Sequence, residues 1–339
     1  MTKIAANKNN MNEFDLIQNY FNTSSLSFSH PQVDLGIGDD CAIVSVPADQ
    51  QLCMSIDTLV EEVHFPKGAR AFDIATRALC VTLSDLAAMG AQPIGFTLAI
   101  SLPQTLKQDA NWLREFSEGL ALIAQRYQCP LIGGDTTKSS TLVLTLQVHG
   151  TVPKQKALTR SGAQVGDRVC VTANQTRGLG DGAAALPFVL SDPQTQHALA
   201  SAFWQPLPQI ELGQTLRDLA TSCLDVSDGL VQDLNHICQA SQVSMQIDPE
   251  RLPLSHALLQ HCDRPQAQAY ALGGGDDYQL AFTLPSGVAV PADCVEVGVV
   301  VASANASTNI SANASTNLFK HQVHLPATYQ TLEKGYQHF

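Results

Sequence analysis

The sequence has 339 residues, of which 45% are hydrophobic and 15% charged, and its formal net charge is −12. This length favours two domains with sizeable cores, and the acidic balance argues against a nucleic-acid-binding protein. No apolar run reaches the roughly 18 residues that cross a bilayer, and the first residues lack the apolar segment of a secretory signal. Nine cysteines without a CxxC pair argue against a disulfide framework or a zinc site. We therefore expect a cytoplasmic protein with reduced thiols.

The first half of the chain alternates helical and strand patterns. Helical spacing of apolar residues predicts helices at residues 14–24, 73–90 and about 107–127. Apolar and β-branched runs predict strands at residues 53–57, 93–102 and 141–151. Asp73 is the expected N-cap of the second helix, and Asp57 is expected at the end of the first strand.

A polar segment at residues 153–166 separates this half from the next, so the predicted domains are residues 1–152 and 153–339. The second half begins with the strand pattern RVCVTA and the glycine-rich stretch RGLGDGAAAL. Strands and helices alternate in both halves, which predicts two α/β domains, each with one helical layer. Residues 303–317 contain the heptad SANASTN twice, and we interpret them as an exposed low-complexity insertion.

Aspartates stand beside glycine or at the ends of apolar segments throughout the chain. They are Asp40, Asp57, Asp85, Asp135, Asp225, Asp228 and Asp276. A buried carboxylate is costly unless it is paired or bound to metal, and only 19 lysines and arginines are present. Because Mg²⁺ prefers carboxylate and phosphate oxygens, we expect Asp40, Asp57, Asp85 and Asp135 to converge on magnesium.

Each of these signals also has an ordinary structural alternative. A turn beside glycine is the alternative for Asp39–Asp40 and Asp276–Asp277, a cap for Asp57, Asp135, Ser227 and Asp228, and core burial for His64. The chain contains neither GxxxxGK[ST] nor a GxGxxG in the right context, which argues against a P-loop or dinucleotide-binding protein. If Asp225–Asp228 ends a strand and opens a helix, the helix N-terminus and magnesium together could hold phosphate.

A set of segments in chain order resembles the thiamine-monophosphate kinases. The segments are DLGIGDDCA, SIDTLVEEVHF, ALCVTLSDLAAMGA, LIGGDTT, LDVSDGL, GGGDDYQL and the final KGYQHF. The SDLAAMGA, GGDTT and SDGL elements are shared with a wider superfamily that includes aminoimidazole ribonucleotide synthetases. DTLVEEVHF and the tail favour the thiamine enzymes, and the resemblance extends over residues 12–339.

The resemblance implies a two-domain α/β fold like that of aminoimidazole ribonucleotide synthetase, with the first domains of a homodimer pairing into a shared β-barrel. It also implies ATP, several Mg²⁺ ions and thiamine monophosphate as ligands, with thiamine diphosphate as the product. The rival interpretations are another ATP-dependent synthetase of the same superfamily and a nucleotide or metal sensor without turnover.

Site residues follow from the resemblance at matching positions. The implied magnesium ligands are Asp40, Ser55, Asp57, Asp85, Asp135, Asp225 and Asp228. The implied ATP contacts are Gly134, Asp135, Arg160 and Ser227, and the implied thiamine-monophosphate contacts are His64, Asp276 and Tyr336. Catalysis is expected from Asp135, Arg160 and Asp228. The family usually has Gly where Glu62 stands, Thr where Ile56 stands and Glu where Asp276 stands.

Overall fold

The structure is a computed structural model that describes residues 12–173, 176–303, 321–326 and 329. The chain divides into two compact units. The first comprises Met1–Leu86, Gln92–Lys154 and Val189–Thr195, and the second comprises Ala87–Ala91, Gln155–Phe188 and Gln196–Phe339. The main division falls between Lys154 and Gln155, two residues from the predicted boundary. Among the described residues, no helix combines the length and the apolar character that a membrane span requires.

The first unit combines helices with a sheet. Its helices are Glu13–Leu16 (α1, continued by a π-helical turn at Ile17–Phe21), Ala71–Ala88 (α2), Gln104–Lys107 (α3) and Ala110–Arg126 (α4). Its strands are Val33–Leu35 (β1), Ile43–Val44 (β2), Gln50–Val60 (β3), Gln92–Leu102 (β4), Leu131–Lys138 (β5) and Val143–Pro153 (β6). Strands β1 and β2 pair with each other, and the other strands form a sheet of order β3-β6-β4-β5.

One face of this sheet is buried under helices. Leu144, Leu146 and Val148 on β6 are fully buried, while the residues between them are partly exposed, which is the alternation of a strand with one covered face. Helices α2 and α4 pack closely at Gly119, where a Cβ would lie 2.6 Å from the carbonyl oxygen of Phe72. This helical face of the sheet therefore forms the core of the first unit.

Most elements predicted for the first half are confirmed, and two details are wrong. Helix α2 begins at Ala71, so Asp73 is not its N-cap; the Asp73 carboxylate instead accepts a hydrogen bond from Arg70 Nε at 2.7 Å. Strand β3 continues to Val60, so Asp57 lies inside the strand and not at its end. The LIGGDTT segment is part of strand β5, which excludes the alternative that Asp135 caps a helix.

The second unit is built on a six-stranded sheet of order β12-β9-β11-β7-β10-β8. Its strands are Arg168–Thr172 (β7), Ser222–Asp225 (β8), Ser244–Ile247 (β9), Leu280–Leu284 (β10), Cys294–Val301 (β11) and Val323–His324 (β12). Its helices are Asp181–Ser191 (α5, whose last residues are grouped with the first unit), Ala200–Trp204 (α6), Ile210–Leu216 (α7), Leu230–Ser241 (α8), His256–His261 (α9) and Arg264–Gly273 (α10).

The core of the second unit lies between this sheet and helix α8. Val171, Ala281 and Leu224 stand in register on three adjacent strands and are buried together with Leu234 and Ile237 of the helix. Strand β8 lies at the edge of the sheet and ends at Asp225, and α8 begins five residues later. The connection at residues 226–229 is therefore anchored at both ends by core elements.

Candidate functional site

In the first unit, the structure brings Ser55, Asp57 and Asp85 together. Ser55 and Asp57 pair with Val148 and Leu146 of β6, so their side chains belong to the helical face of the sheet. The Ser55 hydroxyl donates a hydrogen bond to Asp85 Oδ2 on helix α2. Two carboxylates and a hydroxyl thus meet where strand β3 faces helix α2.

The electrostatics of this group disfavour two negative charges. Burial raises the pKa of Asp57 to about 6, the charge of Asp85 adds to the rise, and a hydrogen bond with Thr82 opposes it. Like charges at short range raise a carboxyl pKa because ionising the second group costs electrostatic energy. A divalent cation would offset that cost, and the donor set of carboxylate and hydroxyl oxygens suits Mg²⁺.

Asp135 occupies a different face of the same sheet. The register pairs Asp135 with Ala99 of β4, Ala99 with Thr145 of β6, and Thr145 with Thr58, the residue after Asp57. Neighbours in register share a face, so Asp135 lies on the side of Thr58, opposite Asp57. Within the described part of the chain, no group of three or more His, Cys, Asp or Glu side chains is arranged to hold a metal ion. The metal and nucleotide roles of Asp135 and Gly134 stay predictions.

Asp40 lies in an exposed turn before strand β2. Gly38 has a φ of 136°, which glycine adopts readily, and Asp39 Oδ1 accepts a hydrogen bond from the Asp40 backbone N–H at 2.9 Å. The turn geometry agrees with the structural alternative for Asp39–Asp40, and a role of Asp40 in metal binding stays a prediction.

His64 lies in a tight turn after strand β3. Its Nδ1 accepts a hydrogen bond from the backbone N–H of Val60 at 3.0 Å, which places the proton of the neutral ring on Nε2. Glu62, in the same turn, has a φ of 66°, in the left-handed region that favours glycine. Glu62, at a position where the family usually has glycine, therefore has a backbone conformation that favours glycine.

In the second unit, residues 226–229 are fixed by a buried carboxylate that the sequence analysis did not single out. Asp233 Oδ2 on helix α8 accepts hydrogen bonds from the backbone N–H groups of Ser227, Asp228 and Gly229 at 3.0, 3.0 and 3.1 Å. Burial and the charge of Asp228 raise the pKa of Asp233 to about 7, although the three N–H donors oppose the rise.

This arrangement corrects two expectations about the helix. Its N-cap is Gly229, with a φ of 124° and no capping side chain, so Ser227 and Asp228 do not cap α8. The N–H groups just before the helix already donate to Asp233 and are not open to phosphate as expected. Phosphate binding here would have to use side chains and metal.

A second segment, residues 273–278, packs against residues 226–229. The backbone N–H groups of Asp276 and Tyr278 donate to the carbonyl oxygens of Ser227 and Val226 at 2.9 and 2.8 Å. Asp276 and Tyr278 both have positive φ, 65° and 50°, and the Tyr278 hydroxyl donates to Asp276 Oδ1 at 3.2 Å. Left-handed backbone outside glycine is strained and is frequent at functional sites.

The glycine-rich stretch 177–182 is also held by buried carboxylates. Asp277 accepts the N–H groups of Gly180 at 2.7 Å and Gly182 at 3.3 Å, and Asp181 accepts that of Gly178 at 3.0 Å. Burial raises the pKa of both acids. Because these amides already have acceptors, the stretch does not present the empty backbone cradle of a phosphate-binding loop.

Arg160 and Asp228 act on a common neighbour, His236 of helix α8. Burial lowers the pKa of His236, the positive charge of Arg160 lowers it further, and the negative charge of Asp228 raises it. Arg160 itself is exposed, and its carbonyl oxygen accepts a hydrogen bond from the Ser241 hydroxyl at 3.1 Å. The charges of Arg160 and Asp228, both expected to act in catalysis, thus have opposite effects on the pKa of His236.

Asp225 ends strand β8 beside this group and is buried. The second unit therefore places Asp225, Ser227, Asp228 and Asp276 on or beside residues 226–229, whereas the Arg160 backbone contacts Ser241 at the opposite end of α8. Tyr336 and nearly all of the predicted 303–317 insertion lie outside the described residues.

Comparisons with known proteins bear on both units. Residues 38–152 match the family "AIR synthase related protein, N-terminal domain". Thiamine-monophosphate kinase of Escherichia coli K12 is 46% identical over 278 residues, which cover 80% of this chain and 82% of that protein. Thiamine-monophosphate kinase of Stenotrophomonas maltophilia K279a has a similar structure, with a TM-score of 0.74 and 36% identity over 87% of this chain and 91% of that one. AaThiL complexed with AMPPCP and TMP gives a TM-score of 0.73 and 28% identity over 87% and 89% of the two chains.

Proposed function

The chain belongs to the thiamine-monophosphate kinase family, and from that premise we propose that it transfers the γ-phosphoryl group of ATP to thiamine monophosphate and yields thiamine diphosphate. Its α/β fold is that of the AIR synthase-related proteins. The observation that carries the proposal is the extent of its identity with the Escherichia coli kinase. The complex of AaThiL with AMPPCP, an ATP analogue, and TMP supports the pair of substrates.

The acceptor already carries a phosphate monoester, whose oxygen can attack without losing a proton. The reaction therefore needs no general base and no phosphorylated protein side chain. The work of the protein is to position two polyanions in line and to neutralise their charge, as phosphoryl transfer generally requires.

In the first unit, Ser55, Asp57 and Asp85 fit a magnesium site. Burial, and after it the charge of Asp85, raises the pKa of Asp57, so a cation would stabilise the ionised pair; Ser55 already contacts Asp85. When bound, Mg²⁺ would reduce the repulsion between the negatively charged substrates. Asp40, and Asp135 on the opposite face of the sheet, are proposed as ligands of other Mg²⁺ ions on the strength of the family resemblance alone.

In the second unit, Asp225 and Asp228 are proposed to hold magnesium, and Ser227 and Arg160 to contact ATP. For Gly134, a contact with ATP is proposed on the family resemblance alone. The guanidinium of Arg160 would neutralise charge on the transferred phosphoryl group. His64, Asp276 and Tyr336 are proposed to contact thiamine monophosphate. The strained backbone at Asp276 supports a functional role for that residue.

We also propose that the protein forms a homodimer through the uncovered face of the first sheet. Leu52, Met54 and Ile56 alternate along β3 on that face and are 43%, 58% and 60% exposed. Such an apolar row on an open face favours contact with a second copy. Met54→Asp should give a monomer in sedimentation experiments, whereas Leu122→Asp, at an exposed leucine on helix α4, should not. A wild-type monomer at micromolar concentration would contradict the dimer.

A cytoplasmic location is proposed as well. All nine cysteines are free thiols, and ATP-dependent metabolism takes place in a reducing compartment.

The proposed function is tested by incubating the purified protein with ATP, Mg²⁺ and thiamine monophosphate, then measuring ADP and thiamine diphosphate. Both products should appear in equal amounts. Thiamine without its phosphate is the matched control and should give no ADP above background. ADP formation that does not depend on thiamine monophosphate, or none at all, would contradict the function.

A further inference from the structure

Residues 226–229 have nearly all of their backbone polar groups in defined hydrogen bonds. On one side, the carbonyl oxygens of Val226 and Ser227 accept from residues 278 and 276. On the other side, the N–H groups of Ser227, Asp228 and Gly229 converge on a single oxygen of Asp233. One carboxylate oxygen therefore determines the path of three consecutive residues.

Asp233 is well placed for this task because it belongs to a rigid element. It lies one turn into helix α8, is only 4% exposed, and its backbone N–H donates to the Gly229 carbonyl at 2.9 Å. Its neighbours Leu234 and Ile237 are fully buried in the core of the second unit. A shift of the Asp233 oxygen would therefore move residues 227–229 relative to strand β8.

The side chains in this segment are those proposed to bind magnesium and ATP. Asp228 is further held by Gln232, whose Nε2 donates to Asp228 Oδ2 at 3.1 Å. Magnesium binding depends on the placement of its oxygen ligands. Substitution of a residue that orients a metal ligand typically lowers metal affinity or activity by about 10- to 100-fold.

We propose that Asp233 is a positioning residue: by accepting three backbone N–H groups it orients Asp228 and Ser227 for magnesium and nucleotide. This inference rests on the proposed function. In this proposal Asp233 does not contact the substrates itself, and it contributes by fixing the backbone of residues 227–229.

The test measures kinase activity as a function of Mg²⁺ concentration for wild type and for Asp233→Asn, Asp233→Glu and Asp233→Leu. The amide oxygen of asparagine can accept the same N–H groups, so this variant should stay within about threefold of wild type. Glutamate keeps the charge but is one methylene longer, and leucine removes the acceptor. Both should raise the Mg²⁺ concentration for half-maximal activity by about tenfold or more.

A merely structural role predicts a different outcome. Partial unfolding lowers the maximal rate without moving the Mg²⁺ midpoint or KM for ATP. Asp167→Asn is the matched control, since Asp167 is also buried and accepts the Gln164 N–H at 2.9 Å, but it lies near the opposite end of strand β8. It should leave the midpoint unchanged.

Wild-type midpoints in the glutamate and leucine variants would overturn the proposal, as would an asparagine variant as impaired as leucine. If the leucine variant does not fold, the contrast between asparagine and glutamate decides. A wild-type protein that does not phosphorylate thiamine monophosphate would refute the proposed function instead, and amide hydrogen exchange of residues 227–229 would then test the contact. Exchange should be slow in wild type and the asparagine variant and fast in the glutamate variant; equal rates would overturn the positioning role.

Discussion

Asp57 and Asp85 of the first unit face each other across β3 and α2, and the charge of Asp85 raises the pKa of Asp57. Asp233 and Asp277 of the second unit are buried more deeply, and each accepts two or three backbone N–H groups. Neighbouring acids raise the pKa of Asp57, Asp233 and Asp277 alike, after burial. Asp57 and Asp85 face each other where a cation would relieve their repulsion, whereas the oxygens of Asp233 and Asp277 accept backbone N–H groups and determine the shape of nearby segments. Sequence composition does not separate these two uses of aspartate, but their hydrogen-bond partners do.

The largest expected effect is on catalysis. Asp85→Asn should lower kcat about a thousandfold, the upper range for removing one electrostatic stabiliser from an active site. Because the substitution removes a charge that opposes ionisation of Asp57, the unfolding temperature measured in EDTA should not fall. A variant that keeps more than a tenth of wild-type activity would mean that Asp85 does not act in the reaction.

Asp277→Ala should show the contrasting behaviour of a structural carboxylate. The substitution leaves the N–H groups of Gly180 and Gly182 without this acceptor. Each buried donor without an acceptor lowers the free energy of unfolding by about 1 to 3 kcal/mol. We expect a loss of about 3 kcal/mol in the free energy of unfolding by urea. Stability equal to wild type would show that these two contacts contribute little.

The fold of the first unit follows from its sequence better than the site does. The apolar run at 93–102 and the β-branched run at 141–151 are the strands β4 and β6, because short runs of this composition are typical of buried strands. The apolar pattern predicts that the first strand ends at Asp57, yet pairing with β6 continues to Val60. Asp135 illustrates the same limit, since only the register reveals that it lies opposite Asp57.

Asp233 could not be identified from the sequence for a different reason. It occupies a polar position in an amphipathic helix, as a solvent-exposed residue would, and its partners precede it by four to six residues. The glycine at the N-cap, with its φ of 124°, is the local feature that turns those N–H groups toward it. In a sequence, the corresponding signal is an acidic residue four positions after a glycine that precedes a predicted helix.

The pH dependence of stability tests the raised pKa of Asp57. In EDTA, folded Asp57 keeps its proton up to a pKa of about 6, whereas the unfolded chain releases it near 4. Stability should therefore fall as pH rises from 4 to 6, by about 2 kcal/mol relative to Asp57→Asn. Urea unfolding of both proteins across this range measures the difference. A difference that does not vary with pH would show that the pKa of Asp57 is not raised.

The smallest expected effect concerns the turn after β3. Glu62→Gly should stabilise the protein by about 0.5 to 1 kcal/mol, because glycine adopts the positive φ of this position without steric cost. Glu61→Gly is the neighbouring control and should destabilise. If both substitutions destabilise equally, the backbone at Glu62 is not strained.

The central claim is that Asp57 and Asp85 form a magnesium site, whereas Asp233 shapes a segment of the backbone. The most direct measurement is the unfolding temperature with and without Mg²⁺, at constant ionic strength and without nucleotide, for wild type, Asp57→Asn, Asp85→Asn and Asp233→Asn. A ligand that binds only the folded state raises the free energy of unfolding, and so the unfolding temperature, by an amount that grows with the logarithm of its concentration divided by its dissociation constant. We predict equal rises for wild type and Asp233→Asn and a clearly smaller rise for the other two variants, in which only the magnesium ligands proposed elsewhere remain. An equal rise in all four proteins, or none in wild type, would contradict the account.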